Sequence, residues 1–217
     1  MRIADLPPAA LRRIDAGPDA AFYAVPRMVA HIDGRAIAAV RALYAERLAP
    51  GDRVLDLMSS RHSHLPEMDL AVTGLGLNGD ELAANPALSR GIVHDLNEDP
   101  RLPFEAGAFD AVLCCVSIQY LLRPVPVFAD AIRVLRPGGR VILTFSDRCF
   151  PTKAVAIWRA LGASERPRYV AATLEEAGLE EVEATELIPE DGGGDPLWAT
   201  TGRAPSEGLA RDGRGRG

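Results

Sequence analysis

Short apolar runs alternate along the chain with segments whose apolar residues recur every three or four positions. The runs predict strands at residues 53–57, 70–75, 91–94, 111–116 and 140–145, with two later strands near 181–187 and 197–201. They are continuous rather than alternating, which is typical of strands covered on both faces in a parallel sheet. The pattern therefore predicts a doubly wound α/β domain, in which ligands bind beyond the carboxyl ends of the strands.

Helical spacing fills the intervals between these runs. Asp33 is placed to cap a helix whose apolar positions extend from Ile37 to Leu48, and the turn at residues 50–52 ends it. Further helices are predicted to start near residue 79 and to cover residues 124–135, 152–161 and 169–177. Each predicted helix thus follows or precedes a strand, as the α/β class requires.

Composition narrows the class of protein. The chain has 217 residues, 47% of them hydrophobic, which predicts one folded domain. Its formal net charge of −6 gives the protein little general electrostatic attraction for nucleic acid. The chain has no apolar run of about 18 residues and no apolar leader core, so we expect no membrane partner. Its cysteines, Cys114, Cys115 and Cys149, are expected to be free thiols in the reducing cytoplasm.

The two ends of the chain differ in composition from its middle. Residues 1–30 are interpreted as an N-terminal arm and lid, of which about the first 20 residues are expected to be loosely attached. Residues 31–202 are predicted to form the α/β domain, and the Gly/Arg-rich residues 203–217 are interpreted as a disordered tail.

Five motifs occur in a fixed order. They are Val54-Leu55-Asp56-Leu57-Met58-Ser59-Ser60, Gly74-Leu75-Gly76-Leu77-Asn78, His94-Asp95-Leu96, Leu102-Pro103-Phe104 with Phe109-Asp110, and Arg133-Val134-Leu135-Arg136-Pro137-Gly138-Gly139. This order resembles the class I S-adenosylmethionine-dependent methyltransferases, in particular their small-molecule type 11 branch, over roughly residues 30–200. The resemblance implies a Rossmann-like seven-stranded sheet of order 3-2-1-4-5-7-6 with an antiparallel last strand.

Two positions depart from that family's pattern. The loop after Asp56 has no glycine where the family has a glycine-rich motif, although glycine lets backbone approach a ligand closely. The acid that takes the ribose hydroxyls in the family falls on Gly76, with Asn78 two residues later. A sub-branch of the family is similar in both respects, so we interpret the motif as a variant site.

The resemblance implies S-adenosylmethionine as cofactor and S-adenosylhomocysteine as product. It places Asp56 below the cofactor, Met58–Ser60 along the methionine, Leu77 on the adenine and Asn78 at the ribose. It also implies that Asp95 accepts a hydrogen bond from the adenine amino group and that the Leu96 N–H donates to a ring nitrogen of the adenine. The full predicted cofactor set is Tyr23, Arg27, Asp56, Met58, Ser59, Ser60, Gly76, Leu77, Asn78, His94, Asp95, Leu96, Val116 and Ser117.

Methyl transfer needs a base only when the acceptor must lose a proton. The catalytic candidates are His64 and His62, on the loop after the first strand, and Tyr120 near the transfer position. The alternative is that His64 hydrogen-bonds the loop and His62 is solvated. The two histidines lack the partners of a zinc site, so no metal is predicted.

The lid residues also have two interpretations. In the resembled family this region folds over the cofactor, with Tyr23 beside the cation and Arg27 on the cofactor carboxylate. The alternative is an aromatic anchor and a surface arginine.

Three functions remain open at this point. The first is methyl transfer to a small-molecule acceptor by a monomer or homodimer, without nucleic acid or membrane. The second is a nicotinamide-dependent oxidoreductase, which would require Gly-x-Gly-x-x-Gly after the first strand. The third is a methyltransferase-like domain without turnover that serves as a binding or scaffold protein. The residues do not identify the acceptor.

Overall fold

The computed structural model describes residues 2–206 and contains one seven-stranded sheet of order β3-β2-β1-β4-β5-β7-β6. Strands β1 to β5 are parallel, and β7 runs antiparallel to both β5 and β6. The predicted fold class and strand order are therefore confirmed. The strands are β1 (Arg53–Leu57), β2 (Ala71–Gly76), β3 (Arg90–Val93), β4 (Phe109–Cys115), β5 (Leu135–Phe145), β6 (Glu180–Ile188) and β7 (Leu197–Arg203).

The part of the chain that the structure describes has six α-helices: α1 (Asp19–Phe22), α2 (Gly34–Arg47), α3 (Gly79–Ala84), α4 (Pro124–Val134), α5 (Ala156–Ala160) and α6 (Arg166–Ala177). Short 3-10 turns occupy Ile3–Asp5, Pro8–Leu11, Ile118–Tyr120 and Glu190–Gly192. Asp33 caps α2 as predicted, since its carboxylate accepts from the Ala36 N–H at 2.8 Å. Within residues 2–206, no helix is long and apolar enough to cross a bilayer.

The helix predicted at residues 152–161 is shorter in the structure. The backbone folds into a turn after Phe150, whose carbonyl accepts from the N–H groups of Lys153 and Ala154. The next N–H, that of Val155, donates to the Gln119 carbonyl at 3.0 Å. These tertiary bonds delay the start of α5 until Ala156.

Apolar layers cover both faces of the sheet. On one face Leu55 and Leu143 pack in a cluster that includes Trp158 and residues of α4 and α6. On the other face Val54 packs with Tyr44 and other residues of α2. Alternate strand residues thus enter opposite layers, and the adjacent Cys114 and Cys115 contact different clusters, as their spacing predicts.

Residues 2–20 make specific contacts with the rest of the domain, so the expectation of a loosely attached arm is wrong. Ile3 is buried in the main core cluster, and the N–H groups of Ile3 and Ala4 both donate to the Glu176 carboxylate of α6. The partners in these contacts are far apart in the sequence, so the local composition of the segment does not predict them.

A buried charge network fixes the rest of this segment. Lys153 is the chain's only lysine and is fully buried. Its Nζ lies 2.8 Å from the Gly17 carbonyl, 3.1 Å from Asp15 and 3.2 Å from Asp19. Asp19 also accepts two hydrogen bonds from Arg13 at 2.7 Å. Despite burial, these hydrogen bonds hold the pKa of Asp19 below its usual value.

The predicted boundary between residues 202 and 203 falls inside β7. Arg203 is the last residue of that strand and pairs with Arg140 of β5. The next residue, Ala204, is buried, and its N–H donates to the Gly139 carbonyl at 2.8 Å. The domain therefore extends past residue 202, and residues 207–217 of the predicted tail lie outside the described part of the chain.

Replacing Lys153 by methionine should destabilise the protein by about 3 kcal/mol, the lower end of the cost of breaking a buried pair, because Arg13 still neutralises Asp19. Urea unfolding at pH 7 measures this loss. The matched control is Arg203→Gln, which breaks the exposed Arg203–Glu181 pair and should cost less than about 1 kcal/mol. Equal losses in the two variants would contradict an anchoring role for Lys153.

Candidate functional site

A cavity of about 560 Å³ opens at the carboxyl end of the parallel strands, beneath the N-terminal segment. Its walls come from the ends of β1, β2 and β4, from the loops after β3 and β5, and from residues 19–31. Every residue of the predicted cofactor set borders this cavity, as do His62, His64 and Tyr120. The structure therefore brings the predicted residues together around one cavity.

The loop after β1 adopts unusual backbone angles without glycine. Met58 has φ 56° and His64 has φ 54°, both in the left-handed region. Side chains with a Cβ occupy that region at a cost of about 1–2 kcal/mol each. The loop is held in place because the Ser59 N–H donates to the Leu75 carbonyl of β2 at 2.9 Å.

The glycine that this loop needs lies in β2 rather than in the loop. A Cβ at Gly76 would lie 2.1 Å from the Ser59 carbonyl oxygen, so no side chain fits there. The close approach of the first loop to the end of β2 thus excludes the acid that the family carries at this place.

Asp56 is buried beneath the same loop. Its carboxylate accepts from the Ser63 hydroxyl at 2.7 Å. Asn85 of the segment after α3 donates to the Ser63 hydroxyl and to the Ser60 carbonyl, both at 2.8 Å. Burial raises the pKa of Asp56 to about 6, so the carboxyl titrates close to neutrality.

The loop after β3 presents an unused donor beside an unused acceptor. One carboxylate oxygen of Asp95 accepts from the Asn97 N–H at 2.8 Å, and the other has no hydrogen bond within residues 2–206. The neighbouring Leu96 N–H has no partner among the same residues. His94 is engaged elsewhere, since its Nε2 lies 2.8 Å from the Asp99 carbonyl.

The amide of Asn78 has a different task from the one predicted. Its oxygen caps α3 by accepting from the N–H groups of Asp80 and Glu81, each at 3.0 Å. Its Nδ2 donates to the carbonyls of Tyr23 and Ala24 at 2.9 and 3.2 Å. Because both amide atoms are engaged, Asn78 tethers the covering segment and is not free to bind a ribose.

Arg27 lies in a cage of aromatic rings rather than at the surface. Its guanidinium carbon is 4.6 Å from the centre of the Phe22 ring, 5.4 Å from Tyr23 and 5.2 Å from Phe150. One guanidinium nitrogen also donates to the Phe22 carbonyl at 3.0 Å. The predicted carboxylate-binding role would require the guanidinium to share these cation–π contacts. Burial raises the pKa of the adjacent Tyr23 phenol, which therefore stays protonated.

Two imidazoles stand side by side on the cavity wall. The rings of His62 and His64 are 6.1 Å apart and nearly parallel, at 8°. Burial lowers the pKa of His64 to about 4 and also lowers that of His62. At pH 7 both rings are neutral and each has a nitrogen able to accept a proton.

Tyr120 is limited to the role of a hydrogen-bond donor or acceptor. Its hydroxyl accepts from the Phe150 N–H at 2.8 Å, which fixes the loop after β5. Burial raises its pKa to about 12, so the phenol is not a base at neutral pH. Nearby Val116 has φ 41°, a strained angle for a β-branched residue. The Ser117 hydroxyl donates to the Cys115 carbonyl at 2.8 Å.

Several cavity residues were missed from the sequence: Asp19, His31, Glu81, Asn97 and Phe150. Glu81 lies three residues after the helix cap Asn78, a spacing that predicts a capping box. Its carboxylate instead accepts from the Arg27 N–H at 2.6 Å. Within residues 2–206, no group of three potential ligands is arranged for a metal ion.

Comparison with known proteins finds similarity to methyltransferases over part of the chain. Residues 58–143 match the family model of a methyltransferase domain. The chain is 33% identical over 119 residues to the ubiquinone/menaquinone biosynthesis C-methyltransferase UbiE of Rhizobium johnstonii, covering 48% of this chain and 46% of that protein. It is 31% identical over 113 residues to the demethylmenaquinone methyltransferase of Mycobacterium sp. strain KMS, covering 48% of each.

Both matches therefore span about half the length of these curated relatives. Among solved structures, phosphoethanolamine N-methyltransferase 2 of Haemonchus contortus, in complex with S-adenosyl-L-methionine, superposes with a TM-score of 0.54 at 16% identity. That alignment covers 76% of this chain and 52% of the other, and it supports the fold alone. The matched segment runs from the first loop to β5 and so includes most of the cavity wall. Residues 58–143 thus match a methyltransferase domain, and the chain has the fold of the S-adenosylmethionine-dependent methyltransferases.

Proposed function

We propose that this chain binds S-adenosylmethionine in the described cavity and transfers its methyl group to a small-molecule acceptor. The observation that carries the proposal is the free Asp95 oxygen beside the free Leu96 N–H at the end of β3. An adenine edge offers an amino donor next to a ring-nitrogen acceptor, which is the complementary pair. The relatives named as methyltransferases support the same chemistry.

The rest of the cavity fits the remainder of this cofactor. Its volume of about 560 Å³ lies within the roughly 300–1,000 Å³ usual for ligand sites. The first loop, from Met58 to Ser60, borders the end assigned to the methionine, with the Asp56 carboxyl beneath it. A carboxylate there suits the cationic amino group of the methionine.

In this mechanism the cofactor supplies an electrophilic methyl carbon, and the chain positions the acceptor and excludes water. The segment from Tyr23 to His31 covers the cavity, and Phe150 closes it from the side of β5. Where the acceptor must lose a proton, the neutral ring of His64 or His62 takes it, since the Tyr120 phenol stays protonated.

The proposal extends to a small-molecule acceptor. The curated relatives named above are a C-methyltransferase of ubiquinone/menaquinone biosynthesis and a demethylmenaquinone methyltransferase, and these names support a small-molecule acceptor. The free thiols of Cys114, Cys115 and Cys149 support a reducing location, and we infer a cytoplasmic monomer or homodimer.

Calorimetric titration with S-adenosylmethionine and S-adenosylhomocysteine should give saturable one-to-one binding of both. NADH should not bind, because the first loop has no glycine to cradle a pyrophosphate. A chain that binds neither methyl cofactor would contradict the proposal. Binding of both without methyl transfer to any acceptor in a metabolite extract would favour the scaffold alternative.

Gly76→Ala should lower the affinity for S-adenosylhomocysteine at least about tenfold, because the new Cβ overlaps the Ser59 carbonyl and displaces the first loop. Overpacking of this kind also costs about 1–3 kcal/mol of stability. The control is Gly79→Ala, whose Cβ would meet only Val93 at an ordinary 3.6 Å. Titration calorimetry and urea unfolding measure both variants. An unchanged affinity in Gly76→Ala would show that the position of the first loop does not determine cofactor binding.

The affinity for S-adenosylhomocysteine should fall as pH drops through 6. The pKa of Asp56 in the free protein is about 6, so the carboxyl is ionised above that pH and protonated below it. Only the ionised form attracts the cationic amino group of the ligand, which predicts about tenfold weaker binding at pH 5 than at pH 7.5. Asp56→Asn keeps an acceptor for the Ser63 hydroxyl and removes the titration. Its binding should be weak and independent of pH, and a wild-type slope that persists in this variant would exclude Asp56 as its source.

A further inference from the structure

We propose that Glu81 is the carboxylate that binds the ribose hydroxyls of the cofactor and that it couples cofactor binding to the covering segment. The inference rests on the proposed function, because it concerns the same cavity and the same cofactor. It concerns a residue that stands five positions after the strand end where the resembled family carries its acid.

Glu81 is a buried carboxylate that faces the cavity. It lies in the first turn of α3, is 5% exposed and borders the cavity together with Gly76 and Leu77. A buried carboxylate is costly unless hydrogen bonds or a cation compensate for the lost water. Its partners therefore decide whether it serves the fold alone.

Within residues 2–206, the fold supplies Glu81 with few partners. Its Oε1 accepts from the Arg27 N–H at 2.6 Å, and its Oε2 has no hydrogen bond there. No arginine or lysine in that range lies within 4.0 Å of the carboxylate, because the Arg27 guanidinium occupies the aromatic cage. The carboxylate thus retains acceptor capacity on the side of the cavity.

The order of the strands places this free carboxylate oxygen of Glu81 next to the expected position of the ribose. In the sheet β2 lies between β3 and β1. The adenine is assigned to Asp95 and Leu96 after β3, and the methionine to the loop after β1. The ribose connects these two parts of the cofactor, so it falls at the end of β2, from which Glu81 follows directly. A vicinal diol offers two donors that one carboxylate accepts together.

The end of β2 itself has no room for this group. A Cβ at Gly76 would overlap the Ser59 carbonyl, so an acid cannot stand at that position. After Gly76, Glu81 is the first residue along the chain whose charged side chain borders the cavity. Asn78 does not compete, because its amide is engaged by the backbone on both sides.

The same turn of α3 holds the covering segment. Glu81 accepts from the Arg27 N–H, while the Asn78 amide donates to the carbonyls of Tyr23 and Ala24. A ribose bound to Glu81 would thus share its anchor with the backbone that closes the cavity. Cofactor binding should then order residues 22–31.

Two variants of Glu81 distinguish the effect of its charge from the effect of its hydrogen bond to the Arg27 backbone. Glu81→Gln keeps an oxygen for the Arg27 N–H and removes the charge, whereas Glu81→Ala removes both. Asp80→Asn is the matched control, since Asp80 is exposed in the same helical turn and is absent from the cavity wall. The probes are S-adenosylhomocysteine and its analogue that lacks the ribose 2′ hydroxyl, and titration calorimetry gives both affinities.

Wild-type protein should bind S-adenosylhomocysteine at least about tenfold more tightly than the deoxy analogue. Glu81→Gln should lose about tenfold in affinity for S-adenosylhomocysteine and less than about threefold for the analogue. Asp80→Asn should match wild type within about twofold for both probes. Equal losses for the two probes in Glu81→Gln, or a wild type indifferent to the 2′ hydroxyl, would overturn the ribose assignment. A wild type that binds neither probe would instead refute the proposed function.

Hydrogen exchange tests the coupling without any activity assay. At saturating S-adenosylhomocysteine, amides of residues 22–31 in wild type should exchange at least about fivefold more slowly than in the free protein. In Glu81→Ala, saturated with the same ligand, this protection should largely disappear. Equal protection in the variant and in wild type would show that the segment closes independently of Glu81.

Discussion

The close approach of the first loop to the end of β2 is the constraint on which the site depends. The Ser59 carbonyl lies against Gly76, where no Cβ fits, and the Ser59 N–H donates to the Leu75 carbonyl. The loop reaches this position through left-handed angles at Met58 and His64. Glycine is thus required under the loop instead of within it, and a chain with serines in the loop still brings its backbone to the cavity.

A second constraint keeps the cavity covered. The segment over the site carries few buried apolar side chains, so charged groups hold it: Lys153 lies beneath Gly17 and Asp19, and Arg13 completes the pairing. A compact ammonium suits this point because it donates in three directions, here to Gly17, Asp15 and Asp19. A chain whose other basic residues are all arginine keeps its one lysine at this buried point.

Sequence periodicity predicts the sheet well because strands that are apolar along their whole length must be covered on both faces of the sheet. It also places the cavity residues, since the carboxyl ends of parallel strands converge on one edge. It fails where a side chain's partner is distant in sequence. Asn78 binds the backbone at Tyr23, Arg27 enters a cage completed by Phe150, and Ile3 reaches α6. No local pattern marks such contacts, so the N-terminal segment is misjudged as a loose arm.

The order of strands offers a physical reason for the arrangement of acids around the cavity. Asp95, Glu81 and Asp56 follow or end the neighbouring strands β3, β2 and β1, so three carboxylates line one edge of the sheet in sequence. In the proposed binding mode, a cofactor laid along that edge would meet them in the order of its own donors: the adenine amino group, the ribose hydroxyls and the methionine ammonium. In the proposed arrangement each donor has a separate carboxylate, and Glu81, on the first turn of α3, takes the place of an acid at the end of β2, where Gly76 has no room for one.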